Sequence, residues 1–204
     1  MKTDTIKSRI KNGNDTAEKL ARYLNKRFGY EFEKVSLEED KRDMIDFRCN
    51  KTQKTAQFKC RENKSDIIFE ALRFYDSEKE IRVIDGRDCR TKASLYICLS
   101  SDKKRIIVAT SEIIKEIAKK EVSKFENEQN DIQNLIKKAK ESKNKSLKLS
   151  SSKNRIETWF KVDEGVDTDE YYKLIVFIPY EAIQNSVKID LEKTETFLDE
   201  STWK

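Results

Sequence analysis

Residues 43 to 62 read DMIDFRCNKTQKTAQFKCRE, and an acid, an amide and a lysine in this stretch are spaced for chemistry on a phosphate ester. The pattern predicts two consecutive strands joined by a polar turn. The first ends on Asp46 and the second carries Gln57 and Lys59, with ten residues between Asp46 and Gln57. Side chains alternate along a strand, so Gln57 and Lys59 share one face while Ala56, Phe58 and Cys60 point the other way, into apolar packing. A carboxylate on one strand and an amide oxygen on its neighbour can hold Mg²⁺, a hard cation that selects oxygen, and Mn²⁺ can substitute. Such an ion polarises a phosphodiester and lowers the pKa of a bound water. A lysine two residues further on positions that water and offsets charge developing on the phosphate. Gln57 brings no charge, so the ion is held less strongly than it would be by two carboxylates.

The elements needed to position these groups precede them in the chain. Asn14 to Glu18 opens a run in which Ala17, Leu20, Ala21, Leu24 and Phe28 form a helical stripe, and Gly29 stands where a helix C′ glycine often does. Asp15 and Glu18 have the spacing of an N-cap and its N3 partner, which predicts a capping box at the start of that helix. Tyr30 to Val35 then alternates like a half-buried strand. Asp46 followed by Gln57-Phe58-Lys59, after one helix and one strand, resembles the signature of the PD-(D/E)XK nuclease superfamily, in the Mrr-like branch where glutamine replaces the second acid. The resemblance covers roughly residues 14 to 120. It implies an α/β fold with a restriction-endonuclease-like αβββαβ core, a mixed central sheet flanked by helices, to which this chain adds C-terminal strands. It implies also a Mg²⁺-dependent DNA endonuclease. Asp46 would be the principal metal ligand, Gln57 the second, Lys59 the water-orienting cation and Glu18, on the first helix, a supporting carboxylate. Glu70 is the further acid that would be drawn to the ion to compensate for the neutral Gln57.

Composition narrows the alternatives. The 204 residues contain no histidine, which removes Ser-His-Asp and Cys-His catalysis, HNH-type nucleases and every His-ligated metal. There is no GxxxxGK[ST] loop and no G-x-G-x-x-G among only four glycines, so no nucleotide cofactor is expected. Cys49, Cys60, Cys89 and Cys98 show no C-x-x-C spacing, which argues against a zinc site or a disulfide framework and for a reducing cytoplasm. No apolar run approaches the roughly 20 residues of a membrane helix, and the Met-Lys-Thr-Asp start does not read as a signal peptide.

Charge is segregated along the chain. Residues 1–100 carry a net +5, residues 101–155 a net +7 and residues 156–204 a net −7. The middle block ends in a Lys/Ser-rich stretch through Lys143, Lys145 and Lys148, which predicts a mobile loop or linker suited to phosphate contact; Lys and Asn abundance of this kind also follows from an AT-rich genome such as a phage's. Arg61 and the basic loop around Arg87, Arg90 and Lys92 are further candidates for contact with DNA. Asp66 to Tyr75 reads as a strand, Leu95–Leu99 and Arg105–Ala109 as a hairpin, and Ser111-Glu112 as the cap of a helix running to about Lys124. Ile156 to Val162 and Tyr171 to Ile178 read as strands that extend the sheet or build a small subdomain, with a possible short helix after Pro179. Trp159 and Trp203 are candidates for stacking on a base, although core packing is the commoner role for such aromatics.

The organisation these features predict is a nuclease core over 1–122, a helix and Lys/Ser-rich linker over 123–155 and an acidic, β-rich extension over 156–204 that packs on the core. Cutting both strands of a duplex needs two sites, which suits a homodimer. Two other readings remain open at this point: an inactive nuclease-fold module that binds nucleic acid, and a phage-type interaction protein that occupies a host enzyme through the acidic block.

Overall fold

The computed structural model describes residues 2–60, 66–76, 81–100, 105–125, 132–152, 155–164 and 170–190. The chain is α/β, with one mixed sheet and one antiparallel sheet flanked by helices. Its contacts divide it into two compact units, each drawn from separate stretches of sequence. Residues 1–66, 92–111 and 184–204 form the first, and 67–91 with 112–183 the second. Among the described residues, no helix is long and apolar enough to cross a membrane.

In the first unit, α1 (Lys2–Phe28) ends on Gly29, whose φ of 67° lets its N–H reach back to the Asn25 carbonyl at 3.0 Å. Asn25 then holds the next strand, donating to the Phe32 carbonyl at 2.9 Å and accepting the Phe32 N–H at 2.7 Å. Strands β1 (Phe32–Lys34), β2 (Phe47–Cys49) and β3 (Thr55–Cys60) form an antiparallel meander. Strand β6 (Leu95–Leu99) lies parallel to β3, and β7 (Arg105–Thr110) and β11 (Val187–Asp190) complete the six-stranded order β1-β2-β3-β6-β7-β11. The apolar stripe of α1 covers one face of this sheet, where Ala17, Leu20, Ala21 and Leu24 pack with Phe32, Phe47, Phe58 and Ile97. That is the pleat on which Ala56 and Phe58 were placed.

The second unit is built on a five-stranded sheet of order β5-β4-β10-β9-β8. It consists of β4 (Asp66–Asp76), β5 (Ile81–Asp85), β8 (Ser146–Ser151), β9 (Glu157–Glu164) and β10 (Glu170–Pro179). A short α3 (Arg87–Arg90), α4 (Ser111–Ser123), α5 (Ile132–Glu141) and a 3-10 turn at Tyr180–Ala182 accompany it. One face packs Phe74, Phe160, Tyr172 and Leu174 against Ile132, Ile136 and Ala139 of α5. The strands after residue 156 therefore build a second sheet, and only β11 extends the first.

Several local expectations are corrected. Asp15 and Glu18 form no capping box, because α1 begins near Lys2 and both residues lie inside it; Gly13 costs a helix only about 1 kcal/mol and does not stop it. Asp46 precedes β2 and does not end it, since Ser36 caps a helix α2 (Leu37–Asp43), accepting the Glu39 N–H at 3.1 Å, and the strand starts only afterwards. The Lys/Ser-rich stretch contains β8, whose Leu147 and Leu149 face the α5 cluster at the period of a strand. The basic loop after Gly86 contains the helical turn α3. The helix after the hairpin begins at Ser111, but that hydroxyl is buried and makes no hydrogen bond among the described residues.

Candidate active site

The short β2–β3 ladder pairs Phe47 with Ala56 and Arg48 with Thr55. Continuing that register by one step sets Asp46 opposite Gln57, on the pleat away from α1. The backbone of Asp46 is clamped from both sides: its N–H donates to the Ala56 carbonyl at 3.0 Å, and its carbonyl accepts the Val35 N–H at 3.2 Å. Beyond Phe47 the ladder has run out, and the Asp46 carboxylate takes over as acceptor, receiving the Phe58 N–H on Oδ2 at 2.8 Å. This one bond fixes the carboxylate against the residue that separates Gln57 from Lys59.

Gln57 is buried, with 1% of its surface exposed. Its Nε2 donates to the Met44 carbonyl at 2.6 Å. Met44 sits in the left-handed region at the C-cap of α2 (φ 54°), and its carbonyl can only accept, so the amide nitrogen must face it. The Oε1 oxygen is left buried and makes no hydrogen bond among the described residues. Burying an amide oxygen without a donor costs on the order of 1–3 kcal/mol, so such an atom calls for an explanation. Lys59 is half-buried, and its ammonium lies 5.8 Å from the centroid of the Tyr96 ring. Tyr96 is the parallel partner of Gln57, so the ammonium leans back along β3 towards Gln57. Tyr96 was not anticipated as a neighbour of the site.

Next to this trio, Thr55 ties the start of β3 to the residues before β6. Its Oγ1 donates to the Lys92 carbonyl at 3.1 Å, and its N–H donates to Ser94 Oγ at 3.2 Å. Lys92 also donates its N–H to the Asp43 carbonyl at 2.9 Å, and its ammonium pairs with Asp43 Oδ1 at 2.7 Å. Arg42 holds the other oxygen of Asp43 at 2.8 Å, and Arg42 and Lys92 together keep that carboxyl well below the usual carboxylate range. A depressed carboxylate contributes stability that is present above its unfolded pKa, about 4, and lost as pH falls towards the folded value. Asp43→Asn is therefore expected to flatten the fall in melting temperature between about pH 5 and pH 2.5 relative to wild type, measured by thermal scans in matched salt.

The other anticipated site residues have partners or positions of their own. Glu18 pairs with Lys34 at 2.7 Å, on the helix that covers the opposite pleat from Gln57. Glu70 belongs to the second unit, where Oε1 accepts Arg73 Nη2 at 2.6 Å, Arg73 Nε at 3.0 Å and the Arg87 N–H at 3.1 Å, and Oε2 faces Lys173 Nζ at 3.2 Å. A carboxylate with this many cationic donors has its lone pairs committed. Arg87, Arg90, Lys143 and Lys145 are exposed residues of the second unit, and Lys92 shares the first unit with the trio. Arg61, residues 101–104 between the hairpin strands and Trp203 lie outside the described residues. Among the described residues, no group of three or more Cys, Asp or Glu side chains is arranged to hold a metal ion, so a metal centre here would rest on one carboxylate and one amide oxygen.

No protein-family model, no curated protein and no solved structure matches this chain.

Proposed function

We propose that the first unit is a Mg²⁺-dependent phosphodiesterase acting on DNA, with Asp46, Gln57 and Lys59 as its working residues. The observation that carries this reading is the Phe58 N–H to Asp46 bond, which brings the only carboxylate of the trio to the flank of both β3 residues. The donor set fits the ion: a carboxylate and a buried amide oxygen that lacks a donor among the described residues are both hard oxygen ligands. The arrangement of α1 against β1, β2 and β3, with β6 parallel to β3, supports a restriction-endonuclease-like core. It departs from that plan in its crossover, which runs through β4, β5 and α3 where one helix is expected.

In this reading Asp46 and Gln57 are the protein ligands. A bound Mg²⁺ supplies Lewis acidity towards the phosphate and lowers the pKa of water in its shell. Asp46 is pre-oriented by its bond to Phe58, so little freedom is lost when it binds a cation. Gln57 exchanges an orphaned acceptor for a ligand bond. Lys59, kept from swinging outward by Tyr96, sits one residue past the carboxylate anchor, where its charge faces the negative charge that grows on a phosphate oxygen during attack. Glu18 stays with Lys34 and takes no part.

The experiment is a Mn²⁺ titration followed by electron paramagnetic resonance, paired with a cleavage assay. Wild type is expected to bind one ion at the site, Asp46→Ala to lose it and Gln57→Leu to bind it more weakly. Lys59→Ala is expected to keep the ion while cleavage drops by about 100-fold or more. Equal ion binding by wild type and Asp46→Ala, or full cleavage by Lys59→Ala, overturns the proposal.

A further inference from the structure

The second unit carries a feature that its own packing does not explain. One face of its sheet is occupied by α5, and the alternate residues of β4, β10 and β9 form the other. On that other face stand the aromatic rings of Tyr75, Tyr171, Phe177 and Trp159, interleaved with Arg73, Lys173 and Lys161, all of them only half-buried. The rings fall into two groups. Tyr75 stacks on Tyr171 at 5.9 Å with 26° between the planes, and Arg73 Cζ and Lys173 Nζ lie 4.7 and 5.0 Å from the Tyr171 centroid. Trp159 meets Phe177 edge-on at 6.2 Å, and Lys161 Nζ lies 5.3 Å from the Phe177 centroid and 6.0 Å from that of Trp159.

We propose that this face binds a single strand of DNA, its bases stacking on Tyr75 and Trp159 and its phosphates meeting Lys161, Lys173 and Arg73. Three observations favour that occupant. Lys173 stands directly opposite Lys161 across the β10–β9 ladder, so two cations lie side by side on this face between the two groups of rings, as successive phosphates of one strand require. The platforms are pre-set: Glu157 accepts Trp159 Nε1 at 2.9 Å, and Glu70 anchors both Arg73 and Lys173, so binding freezes few rotamers. Cations interleaved with flat rings serve a chain of alternating phosphates and bases, whereas an acidic peptide would use the cations and leave the rings idle. Trp159 lies opposite Ile175, four residues along β10 from Tyr171, about 13 Å at the rise of a strand, so a strand crossing the face meets one platform and then the other.

This inference is independent of the metal chemistry, and its test is run in EDTA, where no divalent-dependent cleavage can occur. Full-length protein is titrated into a labelled oligo(dT) of about 20 nucleotides and followed by fluorescence anisotropy at several salt concentrations. Wild type is expected to bind with an affinity that falls as salt rises. Trp159→Ala and Tyr75→Ala are each expected to weaken binding by about 5- to 100-fold. Lys161→Gln is expected to reduce the slope of log affinity on log salt by about 0.7. In a Trp203→Phe background Trp159 is the sole indole, and saturating oligo(dT) is expected to quench its emission, which reads contact without truncating the face. Absence of binding, equal affinity for duplex, affinities unchanged in the three variants, an unquenched Trp159, or tighter binding of oligo(rU) than of oligo(dT) would each overturn the proposal.

Discussion

Asp46→Asn is expected to lower divalent-dependent DNA cleavage by about 100- to 1,000-fold while leaving the melting temperature almost unchanged. The substitution keeps an oxygen of the same shape, which still accepts the Phe58 N–H now held at 2.8 Å, and keeps the backbone clamp to Ala56 and Val35. What it removes is the single negative charge among the proposed ligands. Since Gln57 is neutral, no second carboxylate of the trio is left to hold a divalent ion, so the loss exceeds that at a site where two acids share the task. Initial rates of plasmid nicking and thermal scans on the same preparation check both halves. A variant that cuts normally, or one that unfolds, would show that Asp46 serves the fold and not the reaction.

Gly86→Ala carries the largest expected effect on stability, about 3 kcal/mol or more, or a fall of roughly 10 °C in melting temperature. The reason is proximity and not backbone conformation, for the φ of Gly86 is an ordinary −67°. A Cβ at this position would lie 2.2 Å from the Glu70 carbonyl oxygen and 2.8 Å from the Ala71 carbonyl carbon, and backbone atoms cannot swing aside. Moving Gly86 away breaks its 2.8 Å bond to the Ala71 carbonyl. It also pulls the Arg87 N–H and the Asp88 carboxylate from Glu70, which they hold at 3.1 and 2.8 Å. Gly29→Ala is the control: its φ is 67°, but the nearest atom to an added Cβ is the end of Lys51 at 4.0 Å, so a cost near 1 kcal/mol is expected. Matched thermal scans separate the two, and similar small shifts for both would show that the close approach at Gly86 relaxes freely.

The trio was legible in sequence because its geometry is local. Asp46 stands immediately before β2 and Gln57 lies on β3, the strand that pairs with β2, so one short hairpin brings them opposite each other, and the period of two settles which side chains share a pleat. Tyr96 was not, because its place beside Gln57 comes from a parallel pairing across nearly forty intervening residues, which no local pattern encodes. The Asp15–Glu18 pair misled because a capping box is a two-residue signal, and it lost to a helix that simply continued upstream. The cap that does operate, Ser36 accepting the Glu39 N–H, sits in a run so highly charged that no apolar stripe marked the helix. Strand β8 was hidden for the reverse reason: Leu147 and Leu149 are its only large apolar residues, and lysine and serine dominate its composition. The split into two units, each stitched from distant segments, follows from long-range strand pairing and was likewise beyond reach of composition and charge blocks that run in chain order.

Incubating wild-type protein with supercoiled plasmid in Mg²⁺, in Mn²⁺ and in EDTA tests the central claim most directly. Conversion to nicked circles with either ion, none in EDTA, and conversion slowed by about 100-fold or more in Lys59→Ala is the result expected of Asp46, Gln57 and Lys59 acting together at one cation. Plasmid left intact by the folded wild type with both ions, or nicked as fast by Lys59→Ala as by wild type, would contradict it.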